Sequence, residues 1–160
     1  MLIFLTDTEV ARLVGERKIL PPDYMERLQV RPKRGHFGAE LDVAGDTGGD
    51  FRVILRQSRE NHLDFSVILA YRPPNTNQTF RLRRYNGKHR HANRLEANTI
   101  DGFHMHIATE RYQQLGMRED AFAEACDRYQ DFHGAIECLL KERAFEAPPG
   151  TQLPLLEGGL

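Results

Sequence analysis

The sequence has two cysteines, no tryptophan and almost no net charge, since 22 basic side chains are balanced by 23 acidic ones. Two cysteines exclude a disulfide framework and a four-cysteine zinc site. The short apolar start lacks the basic and long apolar segments of a signal peptide, and no apolar run is long enough to span a bilayer. The near-neutral charge creates no overall field toward nucleic acid or lipid. We therefore expect a cytoplasmic protein without a membrane partner.

Hydrophobic periodicity predicts an α+β fold with one domain over residues 1–146 and a flexible C-terminal tail over 147–160. Thr6 and Glu9 form a capping-box pattern, so a helix is expected to begin there, and a short second turn is expected after Asp23. Alternating apolar residues predict a mostly antiparallel meander of about five strands, at residues 39–44, 50–57, 63–72, 79–85 and 102–108. A long amphipathic helix over residues 119–143 is expected to pack on the sheet.

Four of the seven histidines lie within residues 89–106, as two His-x-His pairs. Side chains alternate along a strand, so His104 and His106 are predicted to share one face while Met105 points into the core. A hairpin between the two pairs would bring His89 and His91 to the same site. The alternative is a solvated strand face that carries histidines without a common purpose.

The charges are unevenly distributed along the chain. Residues 81–94 hold six Lys or Arg and no acid, whereas residues 119–143 hold seven acids and three bases. The two segments could simply pair with each other. The functional interpretation is a phosphate-binding surface for RNA or another nucleic acid, with arginine forks on phosphate oxygens and Tyr85 stacked on an unpaired base. The candidate nucleic-acid-binding residues are Arg81, Arg83, Tyr85, Lys88, Arg90 and Arg94.

Histidines beside cations suggest RNA cleavage without a metal or other cofactor. One imidazole takes the proton of the 2′-OH, another protonates the leaving 5′-oxygen, and cations stabilise the phosphorane. Asn93 is a candidate to orient a histidine. The catalytic candidates are His89, His91, His104, His106, Asn93, Arg84 and Arg111.

Metal binding is a competing interpretation, because imidazoles two residues apart on a strand are good zinc or iron ligands. The spacing His-x-His-x₄-Glu also resembles the first half of the cupin metal motif, although the surrounding cations would repel a dication. A non-catalytic module that binds nucleic acid or a protein is a third interpretation. The candidate metal ligands are His89, His91, Glu96, His104 and His106.

A basic strand ending in Arg-Tyr-Asn, a loop with histidines and a Phe-His-x-His strand together resemble the TumE type of small bacterial toxin. They are also similar to a set of small bacterial proteins with a Phe-His-x-His strand. The resemblance covers residues 83–107 and implies a compact sheet-and-helix ribonuclease of a toxin–antitoxin system, paired with an antitoxin. The positions that carry it are Tyr85, Asn86, His89, His91, His104 and His106.

The tail contains Gln-Leu-Pro-Leu-Leu at residues 152–156, which resembles the short peptide by which bacterial replication proteins bind the sliding clamp. Extended segments of this kind fit hydrophobic grooves. The resemblance implies a sliding clamp as partner, contacted through Gln152, Leu153, Leu155 and Leu156. The alternatives are a tail without a partner and leucines that fold back on the core.

Overall fold

A computed structural model describes residues 3–150 of the chain. The helices in this range are α1 (Asp7–Gly15), α2 (Tyr24–Arg27), α3 (Glu110–Gln114) and α4 (Phe132–Glu142). The strands are β1 (Lys18–Ile19), β2 (Arg31–Pro32), β3 (His36–Ala44), β4 (Asp50–Ser58), β5 (Phe65–Tyr71), β6 (Phe80–Asn86), β7 (His91–Asn93), β8 (Asn98–Ile100), β9 (His104–Ile107), β10 (Phe122–Ala125) and β11 (Phe145–Glu146). The fold is α+β, as the periodicity predicted.

Seven strands form one antiparallel sheet in the order β10-β9-β6-β5-β4-β3-β2. The predicted meander corresponds to β3, β4, β5, β6 and β9, and the sheet is extended at its edges by β2 and β10. β7 and β8 form a separate hairpin, while β1 pairs in parallel with β11. Within residues 3–150, no helix is long and apolar enough to cross a membrane.

One face of the sheet builds the hydrophobic core with α1, α2 and α4. A row of paired residues crosses this face from β4 to β9, and all of them are buried: Leu55, Val67, Tyr85 and Met105. The α4 side chains in the same cluster are Phe132, Ala135, Ile136, Leu139 and Leu140. Burying such a continuous apolar layer is the main favourable term in folding.

Each strand alternates its side chains between the two faces, so the opposite face carries most of the polar residues, together with Ile54 and Ile68. The neighbouring row from β4 to β9 consists of Arg56, Ser66, Asn86 and His104. His106 lies on the same face, paired in register with Arg84 of β6. The predicted orientation of the β9 side chains is therefore confirmed.

The N-terminal helix begins as the capping-box pattern predicted. The Thr6 hydroxyl accepts a hydrogen bond from the Glu9 amide at 3.0 Å, and the Glu9 carboxylate accepts one from the Thr6 amide at 3.1 Å. These reciprocal bonds satisfy two amides that have no partner within the helix.

The predicted C-terminal helix is present and packs on the sheet, but its predicted extent over residues 119–143 is wrong. The first part of this segment forms β10, which pairs with β9 and supplies the sheet edge, and the helix begins only at Phe132. Asp131 ends the extended stretch and caps α4, since its carboxylate accepts a hydrogen bond from the Gly134 amide at 2.7 Å. Without β10, the backbone N–H and C=O groups along the outer edge of β9 would have no hydrogen-bond partners. Residues 122–125 provide these partners as a strand, which they could not do as part of a helix.

Lys18 joins the ends of two helices beneath the sheet. Its side chain is fully buried, and its ammonium donates to the carbonyl oxygens of Val14, Glu16 and Arg143 at 3.1, 2.7 and 2.8 Å. Val14 lies in the last turn of α1, and Arg143 is the C-cap of α4. A cation at a helix C-terminus is favourable, so one ammonium stabilises both ends. Burial lowers the pKa of Lys18 to about 8, which leaves the group charged at neutral pH.

We expect Lys18→Met to lower the free energy of unfolding by about 2–4 kcal/mol, because three buried carbonyl oxygens lose their donor. Chemical denaturation followed by circular dichroism measures this change. Lys141→Met is the matched control: Lys141 is half exposed and forms a surface ion pair with Glu137, so its loss should cost less than about 0.5 kcal/mol. Equal effects of the two substitutions would show that the Lys18 bonds contribute nothing specific.

Candidate functional site

The two His-x-His pairs meet on the polar face of the sheet. The β7–β8 hairpin lies over β9 and β10, and His104 and His106 are 0% and 2% exposed beneath it. The ring centroids of His91 and His106 are 4.5 Å apart, those of His104 and His106 are 5.1 Å apart, and those of His91 and His104 are 5.6 Å apart. The His89 ring lies 4.9 Å from His104. Four imidazoles therefore form one cluster, which we call the histidine cluster.

Backbone carbonyl groups hold three of these rings. His104 Nδ1 is 2.9 Å from the Gly102 oxygen, and His106 Nδ1 is 2.7 Å from the Asp120 oxygen. His91 Nε2 is 2.9 Å from the Ala121 oxygen. A carbonyl oxygen only accepts hydrogen bonds, so each of these ring nitrogens carries the proton. In the neutral rings, the lone pair is then left on Nε2 of His104 and of His106 and on Nδ1 of His91.

The buried rings are neutral at physiological pH. Burial lowers the pKa of His104 to about 4, and the nearby imidazoles and Arg84 act in the same direction. Burial and the charge of Arg84 lower the pKa of His106 to about 2. His104 Nε2 is also one of the buried side-chain atoms in the described residues that has no hydrogen-bond partner. A buried polar atom without a partner costs about 1–3 kcal/mol, so it calls for an explanation.

Asn93 fastens the hairpin to the sheet edge. Its amide nitrogen donates to the Ala123 oxygen at 2.7 Å, and its amide oxygen accepts from the Ala123 nitrogen at 2.9 Å. The same amide oxygen lies 3.0 Å from His91 Nε2. Asn93 therefore continues the backbone pairing of β10 and orients a histidine, which is the role proposed for it from the sequence.

We expect Asn93→Asp to destabilise the protein by about 1–3 kcal/mol, because a carboxylate oxygen would face the Ala123 carbonyl where an amide donor stood. Thermal or urea denaturation at pH 7 measures the loss. Asn98→Asp, an exposed change on the same hairpin, is the control and should stay within about 0.5 kcal/mol. A wild-type stability for Asn93→Asp would mean that the hairpin is not held through this amide.

A buried ion pair flanks the cluster. Arg84 Nε donates to Asp120 Oδ2 at 3.0 Å, and the Asp120 side chain is fully buried. Arg118 approaches the other carboxylate oxygen at 3.5 Å. Asp120 thus compensates the cation beside His106 with its side chain and anchors His106 with its backbone oxygen.

Three of the predicted site residues have other roles. Tyr85 is fully buried in the core, where its hydroxyl donates to Glu142 at 2.6 Å, so its ring is not available to stack on a base. Glu96 is held by Arg111 at 2.9 Å and by the Tyr112 hydroxyl at 2.6 Å. Glu96 and Arg111 therefore form an ion pair outside the cluster, which removes Glu96 from the candidate metal ligands and Arg111 from the candidate stabilisers.

The other predicted cations divide into two groups. Arg83 is largely buried and donates to the Leu82 oxygen at 2.8 Å, while Arg81 lies 4.0 Å from Glu119. Lys88, Arg90 and Arg94 are exposed, and within residues 3–150 the carboxylate that Arg90 approaches is that of Asp101, at 3.7 Å. The predicted binding segment of the tail, Gln152, Leu153, Leu155 and Leu156, lies outside the described residues.

Sequence reasoning missed several groups that shape the cluster. Asp120 and Asp64, whose carboxylate lies 3.6 Å from His89 Nδ1, lie far from the His-x-His pairs in sequence. The Gly102 and Ala121 contacts are made by backbone oxygens, which no residue type reveals. Comparison with protein-family models, with curated proteins and with solved structures found no match. What the histidine cluster binds or catalyses therefore has to be inferred from the distances, burial and hydrogen bonds of its side chains.

Proposed function

We propose that this protein binds a divalent transition metal through His91, His104 and His106. Three features of the site support the proposal: the buried rings of His104 and His106 are neutral, each of the three rings has one N–H directed at a backbone oxygen, and the other ring nitrogen is free to bind a metal. Metal-bound histidines characteristically donate their second ring nitrogen to a carbonyl or carboxylate, which fixes the tautomer. Imidazole nitrogens suit zinc, iron, copper and nickel.

The spacing of the rings suits a shared ion. With metal–nitrogen bonds of about 2.0–2.1 Å and tetrahedral angles, the ring centroids of bound histidines lie about 5 Å apart. The three centroid separations here are 4.5, 5.1 and 5.6 Å. Within residues 3–150, no three His, Cys, Asp or Glu side chains are already arranged to hold a metal. Binding therefore requires small rotations of the rings about χ2, which are soft and can preserve the hydrogen bonds to the backbone oxygens.

The observation that carries the proposal is the unpaired, fully buried Nε2 of His104. A merely structural histidine at this position would be expected to bond through both nitrogens, since burying an unsatisfied one is unfavourable. A metal ion uses this lone pair directly. The ion pair of Arg84 with Asp120 reduces the repulsion that a lone guanidinium would exert on a cation nearby.

The test is to titrate EDTA-treated, dialysed protein with ZnCl₂ by calorimetry and to repeat thermal denaturation with zinc. We expect one equivalent to bind and, at about 100 times the dissociation constant, a melting temperature about 5–10 °C higher. His62→Asn, an exposed change outside the cluster, should bind zinc like the wild type. Absence of saturable binding would refute the proposal.

RNA cleavage without a metal is the second candidate. It is favoured by the exposed Lys88 and Arg90, which flank His89 on the loop between β6 and β7. The burial of His104 and His106 opposes it, because rings with lowered pKa values are poor general acids at neutral pH. The test is to incubate mixed-sequence single-stranded RNA with wild type and with His89→Ala in excess EDTA. Cleavage by the wild type alone would favour this candidate over metal binding.

A further inference from the structure

His89 differs from the other three histidines in how it is held. Its Nδ1 lies 3.6 Å from Asp64 Oδ1, and its Nε2 lies 3.5 Å from the Asn86 amide nitrogen. The anchors of the other three rings are 2.7–2.9 Å long. The His89 side chain is also 43% exposed, on the loop between β6 and β7. His89 is therefore the cluster member that moves at least cost.

Asp64 orients His89 toward the cluster. A carboxylate near Nδ1 favours the tautomer with the proton on that nitrogen, which leaves the lone pair on Nε2. The His89 ring lies 4.9 Å from His104, which matches the separation of rings that share a metal. Each of the four histidines thus has an oxygen acceptor near one ring nitrogen.

A cavity of 290 Å³ lies beside Asp64, the residue that approaches His89, with Arg56, Ser66 and His36 also in its wall. Arg56 is exposed, and among the described residues it takes part in no ion pair. It belongs to the same row of the sheet as His104, three strand spacings or about 14 Å away between Cα atoms. A long arginine side chain and an oxyanion can fill that gap.

We propose that His89 is an exchangeable fourth metal ligand and that a small oxyanion, entering beside Arg56, takes its position. The inference rests on the proposed metal site and names the class of molecule that this site binds. His91, His104 and His106 remain on the metal throughout. A guanidinium without a competing carboxylate provides the charge-assisted hydrogen bonds that an oxyanion needs. The Asp64 carboxylate is occupied by His89 before exchange and can keep the released ring at the cavity edge.

The experiment uses the full chain loaded with cobalt(II), whose visible absorption reports the number and kind of ligands, and inorganic phosphate as the probe. In the wild type, phosphate should change the cobalt spectrum saturably. His89→Ala should bind phosphate at least about 10-fold more tightly, because no ring has to leave. Arg56→Gln should bind phosphate about 10-fold more weakly while its cobalt affinity stays unchanged. Arg12→Gln, an exposed change on α1, is the matched control.

The outcomes separate the two proposals. Failure of the wild type to bind cobalt or zinc would refute the metal site itself. Normal metal binding with no spectral response to phosphate, or with the same phosphate affinity in Arg56→Gln and Arg12→Gln, would overturn the oxyanion site alone. Unchanged phosphate affinity in His89→Ala would show that His89 is not the ligand that is exchanged.

Discussion

His106→Asn is expected to lower zinc affinity by at least about 100-fold and to leave the fold intact. The asparagine amide nitrogen stands close to the position of histidine Nδ1 and can still donate to the Asp120 oxygen, whereas the Nε2 lone pair is lost. Loss of a hydrogen-bond partner of a metal ligand already costs 10–100-fold in affinity, so loss of the ligand itself should exceed that range. Calorimetric titration with ZnCl₂ measures the change.

A companion substitution uses the opposite tautomer of His91. His91→Gln preserves a donor near the position of Nε2, which faces the Ala121 oxygen, and removes the lone pair on Nδ1. It should weaken zinc binding as strongly as His106→Asn. Both variants should melt cooperatively, with about 1–2 kcal/mol lost to imperfect packing. Zinc affinity within a factor of three of the wild type in either variant would exclude that histidine as a ligand.

Asp120→Ala is expected to destabilise the protein by about 3–5 kcal/mol, because Arg84 would keep a largely buried guanidinium without its counter-ion. The backbone oxygen that anchors His106 remains in this variant. Zinc should therefore still bind to the folded fraction, although weakly, since the charge of Arg84 would no longer be compensated. Urea denaturation without metal measures the stability change.

The matched control is Asp101→Ala, which removes a highly exposed carboxylate that approaches Arg90 only at 3.7 Å. Exposed ion pairs contribute little, so the expected loss is below about 0.5 kcal/mol. A loss below 1 kcal/mol for Asp120→Ala would mean that Arg84 reaches solvent in the variant and that the pair does not stabilise this part of the sheet.

The strands of the sheet were predictable because the alternation of apolar and polar residues can be recognised within each short segment. Alternation along β3 to β6 and β9 is enforced by burial of one face, so the pattern is visible residue by residue. The helix over residues 119–143 was predicted too long, because small and aromatic residues at spacings of three and four are compatible with an edge strand as well as with a helix. The choice between them was made by the open edge of β9, which a local pattern does not contain.

The candidate site was predictable in its residues and not in its surroundings. The spacing of the His-x-His pairs located four imidazoles, and the alternation rule placed His104 and His106 on one face. Their burial depends on the β7–β8 hairpin, which crosses over them only in the folded chain. Burial also lowers the pKa values of both rings, so they are neutral at physiological pH and suited to binding a metal rather than to acid–base catalysis.

Tyr85 was predicted to be exposed and is buried. Its position among arginines suggested an exposed ring on a basic surface, yet its side chain points into the core, opposite Arg84 and Asn86. Strict alternation from the core residues Phe80 and Leu82 would have placed Tyr85 on the opposite face. The register between β5 and β6 shifts at Leu82, and this irregularity, which the sequence pattern does not reveal, brings Tyr85 into the core.

The most direct test of metal binding by the histidine cluster is the ¹⁵N NMR spectrum of the imidazole nitrogens, recorded at pH 7 before and after one equivalent of zinc. Before zinc, His104 and His106 should carry their proton on Nδ1, and His91 should carry it on Nε2. After zinc, only the other nitrogen of each ring should shift, with the protonated one retained. Reversed tautomers, or ring nitrogens that do not respond to zinc, would contradict the proposed metal site.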